Sequence, residues 1–370
     1  MKILILSNLF FPNEIGGYEI GCKDYTSLLN KMGHETLIAT SLDGHISIMN
    51  DKSVRRIFKM FTNFNSAKKK FSYDECEKYN YLVLKKIIED WKPEKILMWN
   101  IQGLGTNIIN LIIKSKISFN IFVWDYTYFS YKKRIKDYLF FRFKNKVSNF
   151  QYKLLKKKMI FPSKYLQNFY SVSLKENKVL YPFIDFNKIK YNPIFSPKIN
   201  KLVYVGQIVE HKGIFDVILD IQSYNQKNDI KLNLTIYSQK INNKNHEYLK
   251  KFDFINIRKD IKREQIHKEL SNYDIGIFPS KWEEPFGISC LEMLAAGLVV
   301  ISTCSGGSSE MIINENPVKF DIFKKNDFIN KLKNTLMLNN NKSNWNIKGA
   351  KKFNNLSIVN QINKIIFDEN

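Results

Sequence analysis

Apolar positions along the chain change period several times, and the changes predict strands, glycine-containing loops and helices in a repeated order. Residues 2–7 form a short aliphatic run typical of a buried parallel strand, and the pair Gly16-Gly17 follows it. A helix is predicted next because apolar residues recur at helical spacing at Tyr25, Leu28, Leu29 and Met32. We expect it to end at Gly33, after which residues 36–40 form the next strand. This order is typical of nucleotide-binding α/β domains.

The same order begins again in the second half of the chain. A strand is predicted over residues 201–206, followed by a loop to Gly213, a helix to Ile221 and a strand over residues 232–237. Further strands are predicted at residues 95–98, 119–123, 159–161, 275–279 and 298–302. The pattern therefore predicts an α/β chain built from two similar domains.

The length of 370 residues also favours two domains, because single hydrophobic cores usually stop growing near this size. A polar stretch in the middle of the chain is interrupted by Pro182, Pro193 and Pro197. We place the boundary there, with an N-terminal domain over residues 1–190 and a C-terminal domain over residues 191–352. The remaining residues, 353–370, carry an amphipathic helix at 357–367 that we expect to pack back on the first domain.

Composition indicates a globular protein, since 44% of the residues are hydrophobic and 14% are aromatic. The apolar run at residues 3–6 is much shorter than the core of a signal peptide, and no later run has the length of a membrane span. We therefore expect a cytoplasmic location. The four cysteines have no metal-ligand spacing and are expected to be reduced, buried thiols: Cys22, Cys76, Cys290 and Cys304.

The net charge of +23 predicts anionic partners. Two basic segments, residues 52–70 and 132–158, carry much of the excess, and the second interleaves its charges with apolar residues. These are Phe140, Phe141, Phe143, Phe150, Leu154 and Leu155. The segments are either a solvated face of a lysine-rich protein or a patch that holds it on the inner face of an anionic membrane. Nucleic acid is disfavoured as a partner because no nucleic-acid-binding signature accompanies the charge.

The segment richest in candidate chemistry covers residues 278–310. Pro285 keeps Glu284 in a loop, whereas Glu292 lies about one turn inside the helix predicted over residues 287–296. The first turn of that helix carries the backbone N–H groups of Gly287, Ile288 and Ser289. Unpaired N–H groups and the helix dipole attract an anion such as a diphosphate, and carboxylates can bind vicinal hydroxyls. The combination fits a nucleotide sugar.

This segment resembles the retaining glycosyltransferases of family 4, which have the two-domain GT-B fold. The hallmark is a pair of glutamates separated by seven residues, Glu284 and Glu292 in EPFGISCLE, followed by Gly306-Gly307 and Glu310. Further matches are GGYE with Glu19, VGQIVEHKG at residues 205–213, and FPSKYLQNFY at residues 161–170. The resemblance extends over nearly the whole chain.

The resemblance implies two Rossmann-like domains that face each other across a donor-binding cleft. It implies an enzyme that transfers a sugar from a nucleotide-diphosphate donor to a glycan or lipid-linked acceptor with retention of configuration, in cell-surface polysaccharide or glycolipid synthesis. Glu284 would contact the donor sugar, Glu292 the ribose, and Lys212 the diphosphate, whose developing charge it would offset. Phe286 belongs to the donor-binding stretch that continues through Gly287, Ile288 and Ser289. Gly16 and Gly17 would let the backbone approach the donor phosphates.

Three positions depart from the family pattern. Gln207 stands where the family usually has an arginine for the diphosphate, and Ser238-Gln239-Lys240 replaces a usual Gly-x-Gly turn. The stretch FVWDYTYF has Trp124-Asp125 where the family often has a histidine near the sugar. Asp125 is a candidate catalytic residue that could orient a hydroxyl, although a capping or turn aspartate explains it as well.

No metal or cofactor is expected, because the chain has no Asp-x-Asp pair and its histidines show no ligand spacing. Most of the histidines are expected at the surface, with His211 the exception beside Lys212; the five are His34, His45, His211, His246 and His267. Two alternatives stay open. One is a GT-B sugar-nucleotide epimerase. The other is a non-catalytic protein of this fold that binds a glycan or a membrane, which the missing arginine at Gln207 favours.

Overall fold

The computed structural model describes residues 1–12, 16–42, 52–61, 71–126, 155–170, 178–192, 199–239, 241–312, 316–337 and 353–367. Most of the two basic segments therefore lies outside the described residues, and so do Pro193, Pro197, Lys240 and His45. The two interpretations of the basic segments stay predictions. No helix in the described ranges is both long enough and apolar enough to cross a membrane.

The chain divides into two compact units, Met1–Leu180 with Gln361–Asn370, and Tyr181–Asn360. The division falls earlier than the boundary predicted after residue 190. The reason is that Ile184 and Ile189 are buried in the core of the second unit. The polar stretch that begins near Pro182 therefore belongs to the second unit.

The first unit contains a six-stranded sheet in the order β3-β2-β1-β4-β5-β6, with every neighbouring pair parallel. Its strands are β1 (Lys2–Leu6), β2 (Glu35–Ser41), β3 (Val54–Phe58), β4 (Lys95–Met98), β5 (Ser118–Phe122) and β6 (Met159–Ile160). Its helices are α1 (Gly17–Lys31), α2 (Tyr73–Trp91), α3 (Asn107–Ser115) and α4 (Lys164–Phe169). The central strands β1 and β4 are aliphatic after their first residue, because both faces of a parallel sheet are covered.

Two charged side chains fix helix ends in this unit. The buried Glu77 carboxylate of α2 accepts hydrogen bonds from the backbone N–H groups of Thr106 and Asn107, so it caps the start of α3. The buried Lys95 ammonium donates to Ser118 Oγ at 2.9 Å and to the carbonyl oxygen of Ile366 at 2.7 Å. A positive charge is favourable at the carbonyl end of a helix, so Lys95 holds the last helical turn on the first unit.

The second unit repeats the architecture with a parallel sheet in the order β12-β11-β10-β7-β8-β9. Its strands are β7 (Lys201–Val205), β8 (Asn233–Ser238), β9 (Ile255–Lys259), β10 (Ile275–Phe278), β11 (Val299–Ser302) and β12 (Val318–Lys319). The helices are α5 (Ile214–Lys227), α6 (Asn243–Leu249), α7 (Arg263–Glu269), α8 (Ile288–Ala295) and α9 (Asp327–Leu336). The helix α10 (Asn355–Ile362) follows and continues into a π-helical turn, Asn363–Phe367. The predicted α/β fold with two Rossmann-like units is confirmed.

Each sheet has one point where the strand order reverses, between β1 and β4 in the first unit and between β7 and β10 in the second. Loops leaving the carboxyl ends of two such strands run in opposite directions, and the crevice between them is where open α/β sheets bind ligands. This topology selects the loops in which functional side chains are expected. In the second unit they are the loop after β7 and the loop after β10.

Candidate functional site

The loops after β7 and β10 are joined by their backbones. The N–H groups of Lys281 and Trp282 donate to the carbonyl oxygen of His211 at 3.0 and 3.2 Å. Gly213 has a φ of +69°, and a Cβ there would lie 2.0 Å from the carbonyl oxygen of Pro279. Only glycine permits this close approach, so the motif residue Gly213 lets the two loops meet.

This junction brings together Lys212 and Glu284, two of the predicted site residues. Lys212 ends a 3₁₀ turn, Glu210–Lys212, and its Nζ lies 2.6 Å from Glu284 Oε1. Glu284 is only 6% exposed. A small pocket beside them is lined by Tyr204, Val205, Gly206, Lys212, Phe278, Pro279, Ser280 and Ser289. A buried carboxylate and a lysine therefore meet at the reversal point of the sheet.

The Gly306-Gly307 turn holds the backbone of Glu284. The N–H of Gly307 donates to the carbonyl oxygen of Glu284 at 2.7 Å, and the N–H of Glu284 donates to Ser305 at 3.3 Å. Gly306 has a φ of +65°, and a Cβ there would lie 2.5 Å from the Glu284 carbonyl oxygen. This contact explains physically why a glycine pair follows the two glutamates in the sequence.

The helix α8 begins at the same pocket. Its N-cap, Gly287, has a φ of +100°, and Ile288 and Ser289 follow in the first turn. Ser289 lines the pocket with Lys212. The first N–H groups of a helix have no partner within the helix, so this end of α8 is suited to an anion.

The side chain of Phe286 does not face the pocket lining but is buried in the core of the second unit. Its ring centroid lies 5.9 Å from that of Tyr181 and 5.4 Å from that of Phe353. A contact of Phe286 with a ligand would therefore have to come from its backbone. The hydroxyl of Tyr181 in turn donates to Glu310 Oε2 at 2.8 Å, which anchors the last residue of the motif.

Glu292 lies one turn further along α8 and is 4% exposed. Its carboxylate contacts two side chains of α7, Arg263 and His267. Arg263 Nε lies 2.5 Å and His267 Nε2 2.9 Å from the same oxygen, Oε1. Burial disfavours the charged carboxylate, but the Arg263 guanidinium and the His267 hydrogen bond outweigh burial and lower the pKa of Glu292 to about 2. Glu292 is therefore a fully ionised buried carboxylate at neutral pH.

The predicted residues of the first unit lie in loops after its own strands. Gly16 precedes α1, and its N–H donates to Glu19 Oε2 at 2.9 Å. The first and last residues of the GGYE motif are therefore hydrogen-bonded to each other. A Cβ at Gly16 would meet no described atom within 4 Å. Packing within the described residues therefore gives no reason for glycine at this position, which leaves the backbone open to a close ligand. Gly17 is the first residue of α1.

Asp125 follows β5, and its carbonyl oxygen accepts a hydrogen bond from the Tyr170 hydroxyl at 2.8 Å. The neighbouring Trp124 is buried over α1, where a Cβ at Gly21 would lie 2.1 Å from its ring. The FPSKYLQNFY motif, which ends at Tyr170, thus supports the loop that carries Asp125.

Residues 185–353 match the family model described as glycosyl transferases group 1. The second unit therefore carries a glycosyl transferases group 1 domain. The matched range includes every described site residue of the second unit. The resemblance of the chain to glycosyltransferase family 4 in particular stays an expectation.

The chain is also similar over most of its length to one curated protein and to several solved structures. It is 22% identical over 335 residues to an uncharacterized 42.6 kDa protein in the cps region of Klebsiella pneumoniae, which covers 84% of this chain and 87% of that protein. A glycosyltransferase structure from Rickettsia africae matches with a TM-score of 0.71 and 16% identity, covering 100% of this chain and 99% of that one. The Anabaena HepE structure in complex with UDP-glucose matches with a TM-score of 0.67 and 16% identity over 98% of both chains. These two likenesses show the GT-B fold.

Gln207 is exposed, and its backbone carbonyl accepts a hydrogen bond from the Tyr204 hydroxyl at 2.7 Å. The tyrosine ring fills the space beside Gly206, where a Cβ would lie 2.8 Å from the hydroxyl oxygen. Because residue 207 is uncharged, Lys212 is the cationic side chain among the residues that line the pocket beside Glu284.

Arg263 and His267 were not predicted as site residues. His267, which is 6% exposed, is an exception to the expectation that most histidines lie at the surface. A sequence signal exists in their spacing, since residues four apart lie on one face of a helix. What they contact could not be read from that spacing.

His211 is exposed and has its ring centroid 6.0 Å from that of Trp282. Loss of hydration and the charge of the neighbouring Lys212 lower the pKa of His211. Among the described residues, no three His, Cys, Asp or Glu side chains cluster in a way that could hold a metal ion. All four cysteines are free and buried.

Proposed function

We propose that this glycosyltransferase transfers a sugar from a nucleoside-diphosphate donor to a hydroxyl of a glycan or lipid-linked acceptor, with retention of configuration. The observation that carries the proposal is the Lys212–Glu284 pair at 2.6 Å, whose lysine lines a pocket together with Ser289 of the first turn of α8. The pathway we propose is the synthesis of a cell-surface polysaccharide or glycolipid.

The arrangement suits the three parts of such a donor. Lys212 and the N–H groups at the start of α8 supply positive potential for the diphosphate. Glu292, one turn along the same helix, can accept hydrogen bonds from ribose hydroxyls. Glu284, which pairs with Lys212 at 2.6 Å, would contact the sugar.

Transfer breaks the bond between the anomeric carbon and the diphosphate oxygen and forms a bond from that carbon to the acceptor oxygen. Negative charge grows on the departing diphosphate, whose oxygen takes up the proton that the acceptor hydroxyl loses. Preorganised positive groups stabilise such charge, and one contact of this kind typically contributes about 10²- to 10³-fold in rate. We assign this role to Lys212 and the α8 N-terminus, and Gly16 and Gly17 to a second approach to the phosphates. Asp125 is proposed to orient a hydroxyl.

Similar proteins support the choice of substrates. The HepE structure was obtained with UDP-glucose, and the Klebsiella protein belongs to a cps region. We further propose that the basic segments hold the enzyme at an anionic membrane surface, near a lipid-linked acceptor.

The test begins with calorimetric titration of nucleoside diphosphates and their sugars, followed by NMR analysis of the products formed with glycan and lipid-linked acceptors. The proposal predicts binding of a diphosphate and a product with the anomeric configuration of the donor. Interconversion of the sugar nucleotide without an acceptor would instead identify an epimerase. Binding without turnover on a broad acceptor panel would favour a non-catalytic protein.

A further inference from the structure

Glu292 is held on one side only. Both hydrogen bonds that its carboxylate accepts within the described residues, from Arg263 Nε and His267 Nε2, go to Oε1. No described protein group donates to Oε2. A carboxylate can accept about four hydrogen bonds, two at each oxygen. The contacts therefore fix the rotation of the carboxylate and leave Oε2 for a ligand.

We infer that Arg263 and His267 are positioning residues that present Glu292 Oε2 to the ribose hydroxyls of the donor, so that the enzyme selects ribonucleotides over deoxyribonucleotides. The inference rests on the proposed function, since it concerns the same donor. It adds two residues and a specificity that the sequence motif does not carry.

The two side chains have different tasks. The Arg263 guanidinium supplies the charge that a buried carboxylate requires, because an unpaired buried charge is strongly destabilising. The imidazole of His267 supplies a directed N–H. Its other nitrogen, Nδ1, is buried with no hydrogen-bond partner in the described residues. Because the Glu292 carboxylate can only accept, the nitrogen that donates to it is Nε2.

The α7 helix has the spacing needed for this clamp. Arg263 and His267 are four residues apart and so lie on one face, one turn above the other. The two residues bracket Oε1 from successive turns, and the carboxylate cannot rotate without losing at least one of these hydrogen bonds. Removing either residue frees the rotation and withdraws Oε2 from its fixed position.

A hydroxyl that donates to an oriented, ionised carboxylate makes a charge-assisted hydrogen bond, which contributes about 10- to 100-fold in affinity. A deoxy ligand cannot make this bond. The protein and the ligand can therefore be changed independently, and the coupling between the two changes measures the proposed contact.

The experiment measures dissociation constants of the common ribonucleoside diphosphates, each beside its 2′-deoxy and 3′-deoxy analogues. The proteins are the wild type and the variants Arg263→Ala, Arg263→Lys, His267→Ala and His267→Gln. We expect the wild type to prefer a ribonucleotide by about tenfold or more over at least one deoxy form. The alanine variants should reduce this ratio towards one and change binding of the deoxy form by less than about threefold. His267→Gln, which keeps an N–H donor, should recover part of the preference.

Two matched controls remove similar contacts elsewhere in the same unit. His246→Ala removes a contact with Glu247 at 3.5 Å, and Arg258→Ala removes one with Glu269 at 3.3 Å. Both should keep the wild-type ratio. Equal loss of ribo and deoxy binding in the Arg263 and His267 variants would assign them a purely structural role and overturn the inference alone. Failure of the wild type to bind any nucleoside diphosphate would overturn the proposed function and this inference together.

Discussion

Lys212 Nζ and Glu284 Oε1 lie 2.6 Å apart, although the two residues belong to loops that follow different strands. The lysine is partly exposed and the glutamate is nearly buried. The buried carboxylate is therefore neutralised by a group that still has access to the pocket. A bound diphosphate would share the lysine with Glu284, so each residue affects how the other is oriented.

The first prediction concerns the lysine. Lys212→Ala should lower kcat by about 10²- to 10³-fold, because the charge growing on the departing diphosphate loses its cationic partner. Activity of the wild type should persist in excess chelator. The matched control is Lys281→Ala, since Lys281 lies in the adjacent loop but pairs with Glu210 and Asp216 at 3.0 and 2.7 Å. Loss of wild-type activity in chelator, restored by magnesium or manganese, would contradict this mechanism.

A second prediction concerns the uncharged residue where an arginine is usual. Gln207→Arg should raise turnover of the Lys212→Ala variant, because a guanidinium can bind phosphate through two hydrogen bonds. Gln207→Met is the control, since it has similar length and no charge. Steady-state rates at saturating donor test the prediction. An arginine variant no faster than the methionine variant would show that position 207 does not reach the diphosphate.

Substitution of each glutamate alone should distinguish donor binding from sugar transfer. Glu292→Ala should chiefly weaken binding of the nucleoside diphosphate, whereas Glu284→Ala should chiefly lower kcat. The physical reason is that one carboxylate is assigned to the ribose and the other to the reacting sugar. Calorimetry gives the affinity and single-turnover kinetics give the rate of transfer. Wild-type values for both variants would refute the assignment.

Glu292 also predicts a pH dependence of stability. Its pKa is lowered from the usual 4.5 to about 2 in the folded protein, where burial is outweighed by Arg263 and His267. The unfolded chain therefore binds this proton at a higher pH than the folded chain. The resulting stabilisation is fully present above about pH 5 and is lost as the pH falls towards 2.

The variant Glu292→Gln isolates this contribution. The free energy of unfolding should favour the wild type by about 1–3 kcal/mol at pH 7, and the difference should shrink steadily below pH 5. Urea unfolding of both proteins at several pH values measures it. A difference that stays constant from pH 7 to pH 3 would show that the carboxylate is not stabilised in its ionised form.

The basic segments predict salt-sensitive binding to anionic vesicles. Attraction of this kind weakens as salt is added, with a screening length of about 10 Å at 0.1 M. Sedimentation with phosphatidylserine vesicles should decrease as salt rises, and neutral phosphatidylcholine vesicles should bind little. Equal binding to both lipids, or to neither, would leave the solvated-face interpretation.

Local sequence determined much of this protein. Aliphatic runs placed most of the strands within one or two residues, because the buried strands of a parallel sheet are apolar on both faces. β3 was missed since its sequence, VRRIF, contains two arginines within a basic segment. The loop position of Glu284 and the helical position of Glu292 also followed from neighbours in the chain, Pro285 and Gly287.

Only the tertiary structure decided what these residues contact. Arg263 and His267 lie 29 and 25 residues from Glu292 in the chain, and nothing local to α7 indicates a partner that far away. The same holds for Gly306, whose need for glycine comes from the carbonyl of Glu284. Periodicity reports which face of an element is buried, whereas the identity of the group across that face depends on how the strands and helices are ordered in the folded sheet.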